Sequence, residues 1–307
     1  MEIIQKHAPG CVPRDWKTMH YAKPALRYEE QAALLESRGL MISDPERALR
    51  LLKRIGYYRL SAYFIPFKIA NTDKFIVGAD FGQIIDLYKF DCRLRLQFMH
   101  AMDKVEVGIR ALITYELAHQ LGPFGYADPS NFAPTYEHKQ FMELLLREEK
   151  RGGEVFIKHY RTKYTSEKYL PVWMVTELIS FGTLSKMTEH LRTSFRKHLA
   201  KELGLVEPVF VSWLHTIAYV RNVCAHHNRL WNRELSVRPM LPDEWTSMGI
   251  SNDRVYCIAL MIHRLLKVVA PTSTWKDQLK KTLESLPSLD MNAMKFPEKW
   301  DSLEVWN

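Results

Sequence analysis

Cysteine, glycine and long apolar runs are all scarce in this chain, and each scarcity removes a class of protein. The 307 residues include four cysteines, Cys11, Cys92, Cys224 and Cys257, far apart and without a C-x-x-C pair. Neither a disulfide framework nor a zinc ribbon is indicated, and reduced thiols in a cytoplasmic protein are the simple reading. Thirteen glycines in 307 residues fall well below the average usage of about 7%. That disfavours a turn-rich sandwich or barrel and favours an all-α fold. No run of about 18 apolar residues occurs, and the N-terminus mixes Glu2, Lys6, His7, Pro9 and Pro13 among its apolar residues. Neither a secretory signal nor a membrane span is expected.

What is present is a core. Apolar residues make up 47% of the chain and aromatics 12%, enough to exclude disorder as the main state. Lys and Arg number 43 against 35 Asp and Glu, a net charge of +8. Such a balance suits a polyanionic partner such as nucleic acid without demanding one.

The pattern divides the chain into an N-terminal helical region (1–80), a helical domain (81–270) with a charged insertion at about 122–170, and a tail (271–307). Met1 to Lys23 reads as a Pro-punctuated arm. A first helix is expected over Leu26 to Arg38, closed by Gly39. A second follows Ser43 as N-cap, with Pro45 and Glu46 in its first turn, and runs to Gly56. The aromatic cluster Tyr57 to Phe64 could stack on bases, but reads better as an aromatic core between the N-terminal part and the bundle. A small hairpin is allowed in the short segments after Pro66, through Phe75-Ile76-Val77, to Gly82. Residues 147–154 read as a solvated helix end and connection. Ser180 to Ser185 reads as a turn leading into a basic helix to Leu203. Further helices follow after Pro208 and over Val255 to Val269, and the tail from Pro271 is expected to drape over the surface.

Phe81 to Leu121 carries the longest helical periodicity. Leu94, Phe98, Ala101, Val105, Ile109 and Leu112 share one face at about 100° per residue. A second face carries Asp91, Arg95, Glu106 and Arg110. These four form either a buried ionic stripe or two surface i,i+4 bridges worth about 0.3–0.5 kcal/mol each.

The densest cluster of reactive side chains is Arg221-Asn222-Val223-Cys224-Ala225-His226-His227-Asn228-Arg229-Leu230-Trp231-Asn232-Arg233. If the preceding helix continues, Asn222, His226, Arg229 and Arg233 share a face that should look onto water, a cleft or another subunit. A histidine beside arginines is the minimal equipment for cutting RNA without a metal: a base for the ribose 2′-hydroxyl and cations for the phosphate. Arg221 and His226 lie about 140° apart on an ideal helix, so one copy does not easily converge on one phosphate. Two copies across a two-fold axis could, which predicts a homodimer with a composite site. His227, about 100° further round, reads as a packing or supporting group rather than the base. A metal site from Cys224, His227 and Cys257 or His263 is not required by any spacing, so no metal and no cofactor is expected. Spacing alone is a weak signal, since about 0.8 R-x-x-x-x-H matches arise by chance at this composition. Arg95 to His100 is a second match.

The 221–233 block resembles the signature of the Abi-like (AbiD/AbiF) abortive-infection proteins of the HEPN superfamily, whose ribonucleases share an R-N-x-x-x-H motif. Other segments match in the same order: Lys23-Pro24; Gln31, Leu35 and Arg38-Gly39-Leu40; Tyr57 to Tyr63; Leu87-Tyr88, Phe90-Asp91 and Leu94-Arg95; Glu106 with Arg110; Pro171-Val172-Trp173; and Glu177 with Ser180-Phe181-Gly182. The likeness covers roughly residues 20 to 240.

The resemblance implies a HEPN-type helical bundle with an N-terminal helical extension, dimerising into a metal-independent endoribonuclease. Arg221, Asn222 and His226 match its catalytic positions. His227, Arg229, Arg233, Arg95, Asp91, Glu106 and Arg110 would bind RNA or support the site. By similarity such proteins act in phage defence, and some resemble toxins restrained by a structured noncoding RNA. Two alternatives stand beside this one: a non-catalytic RNA-binding protein, and a toxin controlled by a nucleotidyltransferase antitoxin. The expected partners are RNA, a second copy of the chain and an antitoxin RNA, with no membrane.

Overall fold

The computed structural model describes residues 24–307. The N-terminal arm, Cys11 and Lys23 of the matched Lys23-Pro24 pair lie outside them. The chain is all-α: thirteen α-helices among the described residues, with only isolated backbone bridges and no strand. The described residues fall into two compact units, one ending at Gly82 and one running from Gln83 to Asn307.

The first unit holds α1 (Tyr28–Ser37), α2 (Pro45–Ile55) and the short α3 (Tyr57–Ser61). Gly39 follows α1 at φ +91°, a conformation that favours glycine and ends the helix. The cap of α2 is not Ser43 as expected. The Asp44 carboxylate accepts from the Arg47 N–H at 2.9 Å, while Ser43 donates to Asp80 instead. Both are good capping residues, and the one adjacent to Pro45 at the first helical position takes the role. The allowed hairpin reduces to single bridges, Lys68 with Phe75 and Met41 with Asp80. Within the aromatic cluster Leu60, Tyr63 and Phe64 are buried, Phe64 packing edge-on against Phe75 at 5.6 Å, whereas Tyr58 is fully exposed.

The second unit is organised on α4 (Phe81–Leu121), 41 residues long and so roughly 60 Å. Leu94, Phe98, Ala101, Val105 and Ile109 are buried as their spacing demands; the face drifts at its far end, where Ile113 rather than Leu112 is buried. The charged insertion is itself helical, forming α5 (His138–Gly152) and α6 (Val155–Lys163). The Arg147 to Arg151 run is the last turn and a half of α5, which stops at Gly153 in the left-handed conformation. Next come α7 (Val172–Leu178), α8 (Phe181–Glu189), α9 (Thr193–Glu202) and α10 (Glu207–Ala225). The stretch read as a turn at Ser180 to Ser185 is instead the start of α8, because the Ser180 hydroxyl caps the Thr183 N–H. Helix α10 packs against α8 and α9.

After the short α11 (Asp243–Ser247) comes α12 (Val255–Val269), in which ten of fifteen residues are buried. A helix hidden on nearly all sides is the centre of a core. Gly108 allows α4 to approach it, since a Cβ there would fall 2.6 Å from Val269. The tail does not drape over the surface. It forms α13 (Trp275–Glu284) and then folds back, burying Trp275, Phe296, Trp300 and Trp306. The Trp275 indole N–H donates to the Gln97 carbonyl of α4 at 2.9 Å. Four large aromatic residues bring too much apolar area to leave in water.

Candidate functional site

The site grows from the C-terminal end of α10. Trp213, Leu214, Ile217, Val220, Val223 and Cys224 turn into the core, which leaves Arg221 and Asn222 on the outside. The helix does not run on through the histidines. His226 is its C-cap, its N–H still bonded to the Asn222 carbonyl at 3.0 Å. His227 adopts φ +57°, its N–H reaching the Cys224 carbonyl and the Asn228 N–H reaching that of Val223, both at 3.0 Å. Those two bonds together are a Schellman ending. The single face expected for Asn222, His226, Arg229 and Arg233 therefore does not exist: the first two stay on it, and Arg229 and Arg233 leave it. Arg233 Nε bonds the Arg229 carbonyl at 2.6 Å, and both arginines are half-buried.

Beyond the turn the chain is pinned to α4. Asp91, with no exposed surface, accepts the Trp231 N–H at 2.6 Å and the Leu230 N–H at 3.1 Å on one carboxylate oxygen. Its other oxygen pairs with Arg95, itself 5% exposed, whose guanidinium also reaches Cys92 Sγ at 3.1 Å. This is the buried alternative of the two readings of that stripe. Burial pushes the nearby Cys224 thiol up to about 12, and the Asp91 charge adds to the effect.

Fifteen residues along α4 the second pair lies against Arg221. Glu106 accepts from Arg110 at 2.7 Å, and its other oxygen is 3.9 Å from Arg221 Nε. Arg110 also donates to the carbonyls of Thr176 and Ile179, at 3.1 Å for the latter. The Thr114 and Thr176 hydroxyls bond at 2.7 Å alongside. Arg221 thus lies opposite Glu106, and Leu230 opposite Asp91, so the 221–231 segment runs antiparallel to α4.

Arg221, Asn222, His226 and His227 are all exposed at the end of α10. Asp91 and Arg95 are placed beneath the turn, and Glu106 with Arg110 behind Arg221. The sequence did not point to Thr114, Thr176 or the carbonyls of α7; the lone signal was a polar Thr within an apolar helical run. Among the described residues no three His, Cys, Asp or Glu side chains are grouped to hold a metal ion, and no single helix is long and apolar enough to cross a membrane.

A family model described as Abi-like protein matches residues 50–232. The chain belongs to the Abi-like protein family. The match starts within α2, takes in α3 through α10, and ends at Asn232, one residue beyond the loop held by Asp91. Both ion pairs and the Arg221 to His226 segment of this Abi-like chain fall inside it. No curated protein and no solved structure matches.

Proposed function

We propose that this Abi-like protein is an abortive-infection toxin of the HEPN type that cleaves RNA without a metal, using Arg221 and His226 from two copies of the chain. The observation that carries the reading is the arrangement at the end of α10. Arg221, Asn222 and His226 are each exposed there, and a buried carboxylate and a Schellman turn fix the backbone around them.

His226 has no side-chain partner among the described residues, so its imidazole is available to take the 2′-hydroxyl proton or to protonate the leaving 5′-oxygen. Arg221, with 44% of its side chain exposed, is steadied by Glu106 at a distance that leaves its guanidinium edge open to an anion. It would hold the scissile phosphate and stabilise the charge of its transition state, giving a 2′,3′-cyclic phosphate. Asn222 can donate to the same phosphate. The bond from the His226 N–H to Asn222 keeps His226 in helical register, so its offset from Arg221 within one copy stays wide. Convergence on one phosphate calls for a second copy related by a two-fold axis.

The test is incubation of purified wild-type and His226→Ala protein with total cellular RNA in excess EDTA, followed by mapping of the ends. The expected outcome is cleavage by the wild type alone, leaving cyclic phosphates, with a loss of at least about 100-fold in the variant. Equal cleavage by both proteins, or dependence on added metal, would sink the mechanism. Binding without cleavage by either would favour a non-catalytic RNA-binding role.

A further inference from the structure

The described residues hide their tryptophans with one exception. Of the seven among the described residues, six are at most 6% exposed, while Trp173 is 50% exposed. It does not stand alone. Trp173 lines a groove of about 450 Å³ between α6 and α7, into which Phe156 and Tyr164 also turn partly exposed rings. Three aromatic faces left wet around one concavity cost the fold free energy that burial would have recovered, and sequence-tolerant stacking of nucleobases is the use such faces serve.

The polar groups of the groove narrow the ligand. Glu177 is one helical turn from Trp173 on α7, so the two side chains are neighbours. The Glu177 carboxylate has neither a hydrogen-bond nor an ion-pair partner among the described residues. An ionised carboxylate presents two acceptors side by side and no donor. Of the four RNA bases, only guanine offers two adjacent donors on its pairing edge, N1–H and N2–H. Adenine and cytosine place a ring-nitrogen acceptor beside their amino group, and uracil places carbonyls on both sides of its single N–H. Lys163, on the facing helix and 5.4 Å from the centre of the Tyr164 ring, supplies positive charge for an attached phosphate.

We infer that Trp173 and Glu177 form a guanine-binding subsite: the indole stacks on the base, and the carboxylate takes its N1–H and N2–H. As a specificity subsite for RNA the inference rests on the ribonuclease reading above; as a guanine site it does not. Helix α7 connects the two. Its Thr176 carbonyl and the following Ile179 carbonyl are held by Arg110, the residue that also pairs with Glu106 behind Arg221. Trp173 is only six residues from Ile179, roughly 9 Å of helix axis, so a base on Trp173 and a phosphate at Arg221 are held by parts anchored to one guanidinium.

The experiment is equilibrium binding to the full chain carrying His226→Ala, with GMP and AMP as probes, in the Glu177 and Trp173 backgrounds. The expected result is GMP binding at least about 10-fold tighter than AMP, with the preference erased by Glu177→Gln. Trp173→Ala should weaken GMP by about 10- to 100-fold while Trp173→Phe, which keeps a ring, loses much less. Both residues are exposed, and matched melting curves for Glu177→Gln and the parent guard against misfolding. Equal affinity for GMP and AMP, no binding of either, or a preference that survives Glu177→Gln overturns the assignment. Octaribonucleotides with one guanine in an adenine background separate the sources. Tighter binding of the guanine octamer than of GMP points to a strand, and equal binding to a free nucleotide. Cleavage in EDTA by the wild type is scored separately, so RNA cut without guanine binding rejects this site alone, and guanine bound without cutting rejects the ribonuclease alone.

Discussion

Asp91–Arg95 and Glu106–Arg110 are the same sequence pattern, acid then arginine four residues on, repeated on one helix, yet the structure gives them different work. The first pair is sealed: its acid is wholly buried and holds two backbone N–H groups of the loop after α10. The second is partly open, with 19% of the Glu106 side chain exposed, and it faces Arg221 while gripping the end of α7. Identical spacing therefore says nothing about depth. What differs is the element that crosses α4 at each point, a turn that offers N–H groups to the acid at one and a helix end that offers carbonyls to the arginine at the other.

If that comparison is right, the largest effect belongs to Asp91. Asp91→Ala strands Arg95 and two amides in the interior and should cost about 3–5 kcal/mol of unfolding free energy, read by urea denaturation; a loss under about 1 kcal/mol would show that the loop does not depend on the carboxylate. Arg110→Met keeps the stem but leaves the carbonyls of the buried Thr176 and Ile179 without that donor, so we expect about 1–3 kcal/mol. Glu106→Gln comes next, within about 1 kcal/mol in stability, and on the proposed ribonuclease function its consequence should appear in RNA cleavage, because Arg221 loses its charged neighbour. A Glu106→Gln protein as destabilised as Asp91→Ala would erase the distinction between the pairs.

A further test is alkaline. The Cys224 and Cys257 thiols are pushed by burial from 9.0 up to about 12. A raised folded-state value makes the native protein bind the proton more tightly than the unfolded chain does. Their contribution is thus intact below pH 9 and declines as pH rises towards 12. At pH 8 neither thiol should react with iodoacetamide in the native protein, and Asp91→Ala should speed labelling of Cys224 by loosening the loop above it. Rapid labelling of Cys224 in the wild type would contradict the packing described here.

Much of the fold was legible because helices are local objects. Periodicity placed α4 and α12 to the residue, and Gly39 and Gly56 marked the ends of α1 and α2. The errors came where a choice between local options was settled from a distance. Asp44, next to Pro45, took the cap, while Ser43 donates to Asp80, 37 residues further on. The tail became core because α4 offers Trp275 a carbonyl and an edge-on contact with Phe98 at 5.7 Å. At the candidate site the residue types of 221–233 were readable, but the helical stripe was not. Nothing in His227 itself announces the left-handed conformation that turns Arg229 and Arg233 away.

The sequence by itself determined the helical class, the long helix α4 and the family, because helical periodicity and short contiguous blocks are read without coordinates. Only the tertiary structure decided which charged pair is sealed and which stays open, where α10 stops, and that Trp173 alone among the described tryptophans faces water. The division has a physical cause. Helical periodicity is set by bonds between residues four apart, whereas burial and the partners of a buried charge are set by whatever segment packs across it, here 139 residues further along the chain for Asp91 and Leu230.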